Sequence, residues 1–225
     1  MRTVLDNYEN IKDYLQICMF DPELHPEYND RVVTKHGDFS VYYRISLYEN
    51  SNHVLALKII NEDMLTNWGI SVNQLKNDAF NGVWKHEPVL ISIINRLNPF
   101  LEIPLKENES VRKIDFTTTA LTNESRVLGA GLILNETIRA RIGEFVGGDY
   151  IVLLSSIHEV IIYKDDRSVE DENFYKMVEE TNQDINIVEP CDVLSNKVQW
   201  CSEDGTVMLG LREARKIRGY MKNER

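Results

Sequence analysis

Residues 150–163 read YIVLLSSIHEVIIY, two runs of bulky apolar side chains separated by two serines, a histidine and a glutamate. No other stretch constrains the fold as much. Ile151 to Leu154 are apolar at every position, the pattern of a strand covered on both faces. If 157–163 form a second strand, its side chains alternate. His158, Val160 and Ile162 then share one face, and Ile157, Glu159 and Ile161 the other. A strand starting one residue earlier adds Ser156 to the His158 face. The segment therefore predicts two adjoining strands with a hydroxyl and an imidazole side by side near a turn.

The flanking sequence mixes helix and strand signals. Leu5, Tyr8, Ile11, Leu15 and Met19 have helical spacing, which predicts a helix over 4–20, and the proline-broken DPELHPEYND follows as a loop. VYYRISLYE (41–49) and HVLALKIIN (53–61) read as an antiparallel hairpin turning through YENSNH. A short helix, EDMLTNW, stops at Gly69. Ser71, three residues before Gln74, caps a second helix with Val72, Leu75, Ala79 and Val83 on one face. Residues 89–106, closing on NPFLEIPLKENES, read as a boundary or hinge. Beyond it, IDFTTTALT leads into RVLGAGLIL, read as a buried strand whose glycines permit close backbone approach. Asn135 caps ETIRARIGEFVG, which Gly147-Gly148 end. The acid-headed helix VEDENFYKMVEETNQ precedes a short extended INIV, then PCDVLS, KVQWCS and a basic terminal helix, REARKIRGYMKNER. This order implies an α+β fold of mixed, largely antiparallel sheets packed with helices. The expected division is an N-terminal helix and loop over 1–30, an α+β half over 31–110, and a second α+β half over 111–225 that carries the basic helix. The two similar-sized halves have either one shared core or two.

The net charge of −11 argues against free binding to nucleic acid, which needs Lys and Arg to displace counterions. The exception is the terminal helix, with Arg212, Arg215, Lys216, Arg218, Lys222 and Arg225. It is either a solvated tail or a contact surface for an acidic partner or RNA. No apolar run is long enough to span a bilayer, and the N-terminus is acidic, so no membrane contact and a cytoplasmic protein are expected. Cys18, Cys191 and Cys201 lack Cys-x-x-Cys spacing and read as reduced thiols. The five histidines are scattered, and neither His86-Glu87 nor His158-Glu159 has a second His four residues on, so no metal and no cofactor are expected.

A nucleophilic pair built from Ser156 and His158 requires an orienting carboxylate. Glu159 points away from His158 in a strand, so Asp149 or another segment would have to supply it. The Gly-x-Ser-x-Gly turn that raises a catalytic serine is missing. The competing reading is that these polar groups satisfy backbone groups where two strands meet.

Four stretches, IINEDMLTNWGISVNQLKNDAF, TTALTNESRVLGAGLIL, GGDYIVLLSSIHEVII and PCDVLSNKVQW, together resemble the ordered landmarks of the bacterial family catalogued as domain of unknown function 5688. The resemblance covers roughly 40–202. It implies a cytosolic bacterial α+β protein of the accessory or mobile genome, and it marks Asn123, Glu124, Gly129, Ser155, Ser156, His158 and Glu159 as polar landmarks. The family usually has proline directly before the Ser-Ser pair, where this chain has Leu154.

These readings rank three functions. First comes a non-enzymatic module that binds another protein, with Asn123, Glu124 and Ser155 as candidate binding residues. Second is a hydrolase using Ser156 and His158, with Glu159 beside them and Asn123 or Glu124 brought close by folding. Third is an acidic inhibitor that mimics nucleic acid.

Overall fold

The computed structural model describes residues 5–50, 53–93, 101–111 and 118–223. It has an α+β architecture in which helices pack on two largely antiparallel sheets. The first sheet is built on one long strand, β3 (Phe39–Asn50). β1 (Leu15–Phe20) pairs along one side of it, and β2 (Val33–His36) and β4 (His53–Ile59) pair along the other. The expected hairpin is the β3–β4 pair, with residues 51–52 of its turn outside the described residues.

The second sheet has seven strands in the order β11-β10-β8-β9-β7-β5-β6. These are β5 (Pro88–Ile93), β6 (Leu101–Pro104), β7 (Thr118–Asn123), β8 (Tyr150–Leu153), β9 (Val160–Lys164), β10 (Val198–Cys201) and β11 (Met208–Gly210). The stretch expected as a boundary thus contributes adjacent strands β5 and β6, with 94–100 outside the described residues. β5 also pairs with β7, so the sheet draws strands from both sides of residue 110.

Alternation assigns the faces of this sheet. Tyr150, Val152, Val160, Ile162 and Leu121 belong to a buried cluster shared with the first sheet and with helix α4 (Glu136–Val146). The opposite side chains, Ile151, Leu153, Val198 and Trp200, pack under helices α5 (Asp171–Gln183) and α6 (Leu211–Asn223). Strand β8 is therefore covered on both faces, as its unbroken apolar run requires. Among the described residues, no helix is long and apolar enough to cross a membrane.

Local signals act where expected. Asn61 caps α2 (Glu62–Trp68), which ends at a left-handed Gly69. The Ser71 hydroxyl accepts from Gln74 N at the start of α3 (Val72–Asn81). Asn135 caps α4, and a left-handed Gly147 ends it.

Three expectations fail. Among the described residues of the helix expected over 4–20, helix is confined to Leu5 and α1 (Tyr8–Ile11), a 3-10 turn follows, and LQICMF becomes β1. Tyr8 and Ile11 do share a helix face, but the extended Asn7 cap separates Leu5 from them. From residue 15, however, apolar groups occur at consecutive positions, which suits a strand buried on both sides. All six β1 residues are buried, and Gln16 is bonded at both ends of its side chain: its amide donates to Val127 O at 2.9 Å, and its carbonyl accepts from Ser46 Oγ at 2.7 Å and Arg44 Nε at 2.9 Å. Second, GAGLIL (129–134) is a 3-10 turn and not a strand. The close approach it was expected to allow is real, because a Cβ at Gly131 would stand 2.8 Å from Ile17 O on β1. Third, residues 185–187 of INIV turn back on Asp184, whose carbonyl accepts from Ile187 N and Val188 N.

The two sheets are tied by charge as well as by apolar burial. Asp21, buried just after β1, accepts the Ser195 hydroxyl at 2.6 Å and the Lys197 ammonium at 3.0 Å. Four residues on, His25 Nε2 donates to Val193 O at 2.6 Å. Removing one partner of such a group leaves the rest desolvated and unmatched. Asp21→Ala is expected to cost about 2–3 kcal/mol, a fall of roughly 6 °C in melting temperature. Asp21→Asn should lie between the variant and the parent. A loss under about 1 °C would show that the tie is dispensable.

Candidate functional site

Strand β8 stops at Leu153 and β9 starts at Val160, so the Ser-Ser-Ile-His-Glu segment is a connection and not a continuing strand. The reason lies in what its backbone bonds to. Leu194 N donates to Ser155 O at 2.9 Å, Ser195 N to Leu154 O at 3.0 Å, and Ile157 N to Asp192 O at 2.9 Å. On its other side, Ala130 N donates to Ile157 O at 3.2 Å. Gly129 N and Thr122 Oγ1 donate to His158 O at 3.0 and 2.8 Å. Residues 154–158 thus form the middle layer between the 190–195 segment and the 3-10 turn at 129–134. A Cβ at Gly129 would stand 2.6 Å from Thr122 Oγ1 and 2.8 Å from His158 O, so only glycine lets these layers meet.

The imidazole completes the junction. His158 Nδ1 accepts from Leu128 N at 3.1 Å, and Nε2 lies 3.2 Å from Asp192 Oδ2. An amide N–H can only donate, so Nδ1 carries the lone pair, and the neutral ring places its proton on Nε2, facing Asp192. Leu128 has a left-handed backbone (φ 55°), which is costly for a residue with a side chain. The ring bond and the Gly129 N bond to His158 O hold it there.

Ser156 and His158 do not form the pair that strand alternation suggested. The Ser156 hydroxyl accepts from the His158 backbone N at 3.0 Å, and the ring's single lone pair is committed to Leu128. A general base needs that lone pair within reach of the hydroxyl proton. The carboxylate beside the ring is Asp192 and not Glu159 or Asp149. Asp149 instead accepts from Glu203 N.

The other sequence candidates separate. Ser155, Ser156 and Glu159 line an open groove of about 530 Å³ between α5 and the β8–β9 strands. Asn123 is buried. Its carbonyl accepts from Val127 N and the Ser125 hydroxyl, and its amide donates to Val127 O, so the side chain is spent closing its own loop. Glu124 lies at the surface, where its carboxyl shares a hydrogen bond with Glu87, and Glu124 N donates to Glu87 O at 3.1 Å. This contact pushes the Glu87 carboxyl up. Both acids line a second cleft, of about 470 Å³, with Trp84, Pro104 and Arg126.

Glu189, Cys191 and Asp192 place donor atoms within 4.8 Å of one another. The negative charge of Asp192 pushes the exposed Cys191 thiol up. Burial pushes Cys18 up to about 11 and Cys201 up to about 12. All three cysteines are free. On the terminal helix, Arg215 points inward and bridges Asp165 (2.7 Å) and Asp171 (2.8 Å), so this basic residue serves docking of the helix.

Sequence reasoning missed Asp192, Leu128 and Glu87. Asp192 lies inside the PCDVLS landmark, the one available signal. Leu128 acts through its backbone, and Glu87 acts through a neighbour 37 positions away in the chain.

An α+β protein whose larger sheet is closed by a polar junction of three segments is the class that fold and site define. The family whose model matches residues 2–202 is described as a family of unknown function (DUF5688), and the chain belongs to it. The match reaches back over β1, beyond the stretch that the landmarks covered. The chain matches no curated protein and no solved structure.

His158→Leu leaves the Leu128 amide without its acceptor and is expected to cost about 2 kcal/mol, roughly 6 °C in melting temperature. His158→Asn, whose carbonyl can replace Nδ1, should recover part of this. Equal melting of all three proteins would refute a structural ring. The Glu87–Glu124 contact makes a second prediction. A raised carboxyl favours folding at low pH and loses that contribution as pH rises through its folded value. Glu124→Gln should therefore melt about 1 °C above the parent at pH 7, a small gain because both groups are solvent-screened, and no higher at pH 4. A gain that persists at pH 4 would contradict the shared proton.

Proposed function

We propose that the protein is a non-enzymatic module that acts by binding another protein. The supporting observation is a pair of large exposed aliphatic side chains in the turn after α5, of which Ile187 lines the groove. Ile185 is 69% exposed and Ile187 64% exposed, two positions apart in the turn that leaves α5. Single exposed aliphatics are ordinary on protein surfaces, but two on one turn beside an apolar-floored groove favour a contact surface. The junction supports the same reading, since its histidine is engaged on both nitrogens by the fold itself. A hydrolase would need to break the Leu128 bond to free the ring.

Ile185→Asp with Ile187→Asp tests the proposal. The double variant should keep its melting temperature within about 2 °C, because neither side chain is in the core. In proximity cross-linking from the native host, proteins captured by the parent should be lost from the double variant. Capture of the same set by both, or of no specific protein by the parent, would overturn the reading.

A further inference from the structure

The groove beside Ser155 and Ser156 has a floor and a rim of different chemistry. Leu153, Ile161, Val178 and Val188 supply apolar surface. Three carboxylates, Glu159, Glu180 and Asp184, stand in the lining, and none of its residues is basic. A volume of about 530 Å³ lies in the range of pockets that take a small ligand or a few anchoring side chains. Ile187, which is largely exposed, also lines the groove, and the exposed Ile185 stands two positions before it in the same turn. A small molecule seated on the floor would leave these aliphatics in water, whereas a segment of another chain can cover them. The three carboxylates repel phosphate, which disfavours nucleic acid as the occupant.

We propose that this groove seats a basic, aliphatic segment of a partner protein, with one or two aliphatic side chains on the floor and a lysine or arginine head among Glu159, Glu180 and Asp184. The proposal deepens the protein-binding reading and rests on it. The floor supplies most of the affinity. The acids set register and exclude acidic segments, because ion pairs at an exposed rim are individually weak and screened by salt.

The test uses the full chain and a fluorescently labelled peptide of alternating leucine and lysine, followed by anisotropy. Its twin carries glutamate in place of lysine. Two charge-matched triple variants separate site from bulk attraction: E159Q/E180Q/D184N in the groove, and E62Q/D63N/E203Q at exposed acids outside it. The leucine–lysine peptide should bind the parent and weaken about tenfold or more on the groove variant. It should be unaffected by the outer variant and weaken as salt rises. Circular dichroism should show all three proteins equally folded. No binding up to about 1 mM, equal binding of the glutamate twin, or equal loss on both triple variants would overturn the groove assignment. If E159Q/E180Q/D184N still captures the host proteins that I185D/I187D loses, the groove assignment falls and the protein-binding reading stands. If the parent captures none, that reading falls as well.

Discussion

One contact, the Leu128 and Gly129 amides donating to His158 Nδ1 and His158 O, holds the strained point at which the two sheets are joined. Leu128 occupies a left-handed conformation that costs on the order of 1 kcal/mol or more without compensation. Once it is held, Gly129 and Ala130 present their amides to the carbonyls of His158 and Ile157, and the 3-10 turn they begin packs Gly131 against Ile17 on β1. The first sheet, the turn and the second sheet are thereby brought into register. Across the junction, Asp192 reaches Nε2 while its carbonyl takes the Ile157 amide, which places the segment from which Ser195 and Lys197 reach back to Asp21.

This arrangement explains why polar residues stand at the centre of the most hydrophobic stretch. Buried donors and acceptors are tolerated when all are matched, and a network short of one partner is worse than none. Each bond of the junction contributes on the order of 1 kcal/mol net, but an orphaned member costs more than that. Among the described residues, the buried side-chain atoms without a hydrogen-bond partner are Arg44 Nη2 and Asn182 Oδ1, and neither belongs to the junction. The backbone and side chains of the Ser-Ser-Ile-His-Glu segment join the 190–195 segment to the turn at 129–134, while Glu159, Glu180 and Asp184 line the groove beside it.

The parts of the structure that could be read from sequence are those set by short-range rules. The caps at Ser71 and Asn135, the glycine stops at 69 and 147, and the two-faced burial of β8 follow from local geometry. β1 departs from the helical reading because only Tyr8 and Ile11 lie on one helix, Leu5, Leu15 and Met19 match its spacing by coincidence, and tertiary cover on both sides decides the strand. Strand alternation placed Ser156 and His158 together and erred because the backbone there bonds to residues 128–130 and 192–195, partners no local pattern announces. At the candidate site, sequence could single out polar residues but not the neighbours that folding gives them. Asn123 turned inward to its own loop, Glu124 met Glu87, and His158 met Asp192.

Native-state amide hydrogen exchange at Leu128 and Gly129 examines this account most directly. Both amides should exchange as slowly as the amides of β8, and in His158→Leu they should lose that protection while the β8 amides keep theirs at least in part. Fast exchange at Leu128 in the parent protein, or protection there that survives loss of the imidazole, would mean that the ring does not hold the junction together.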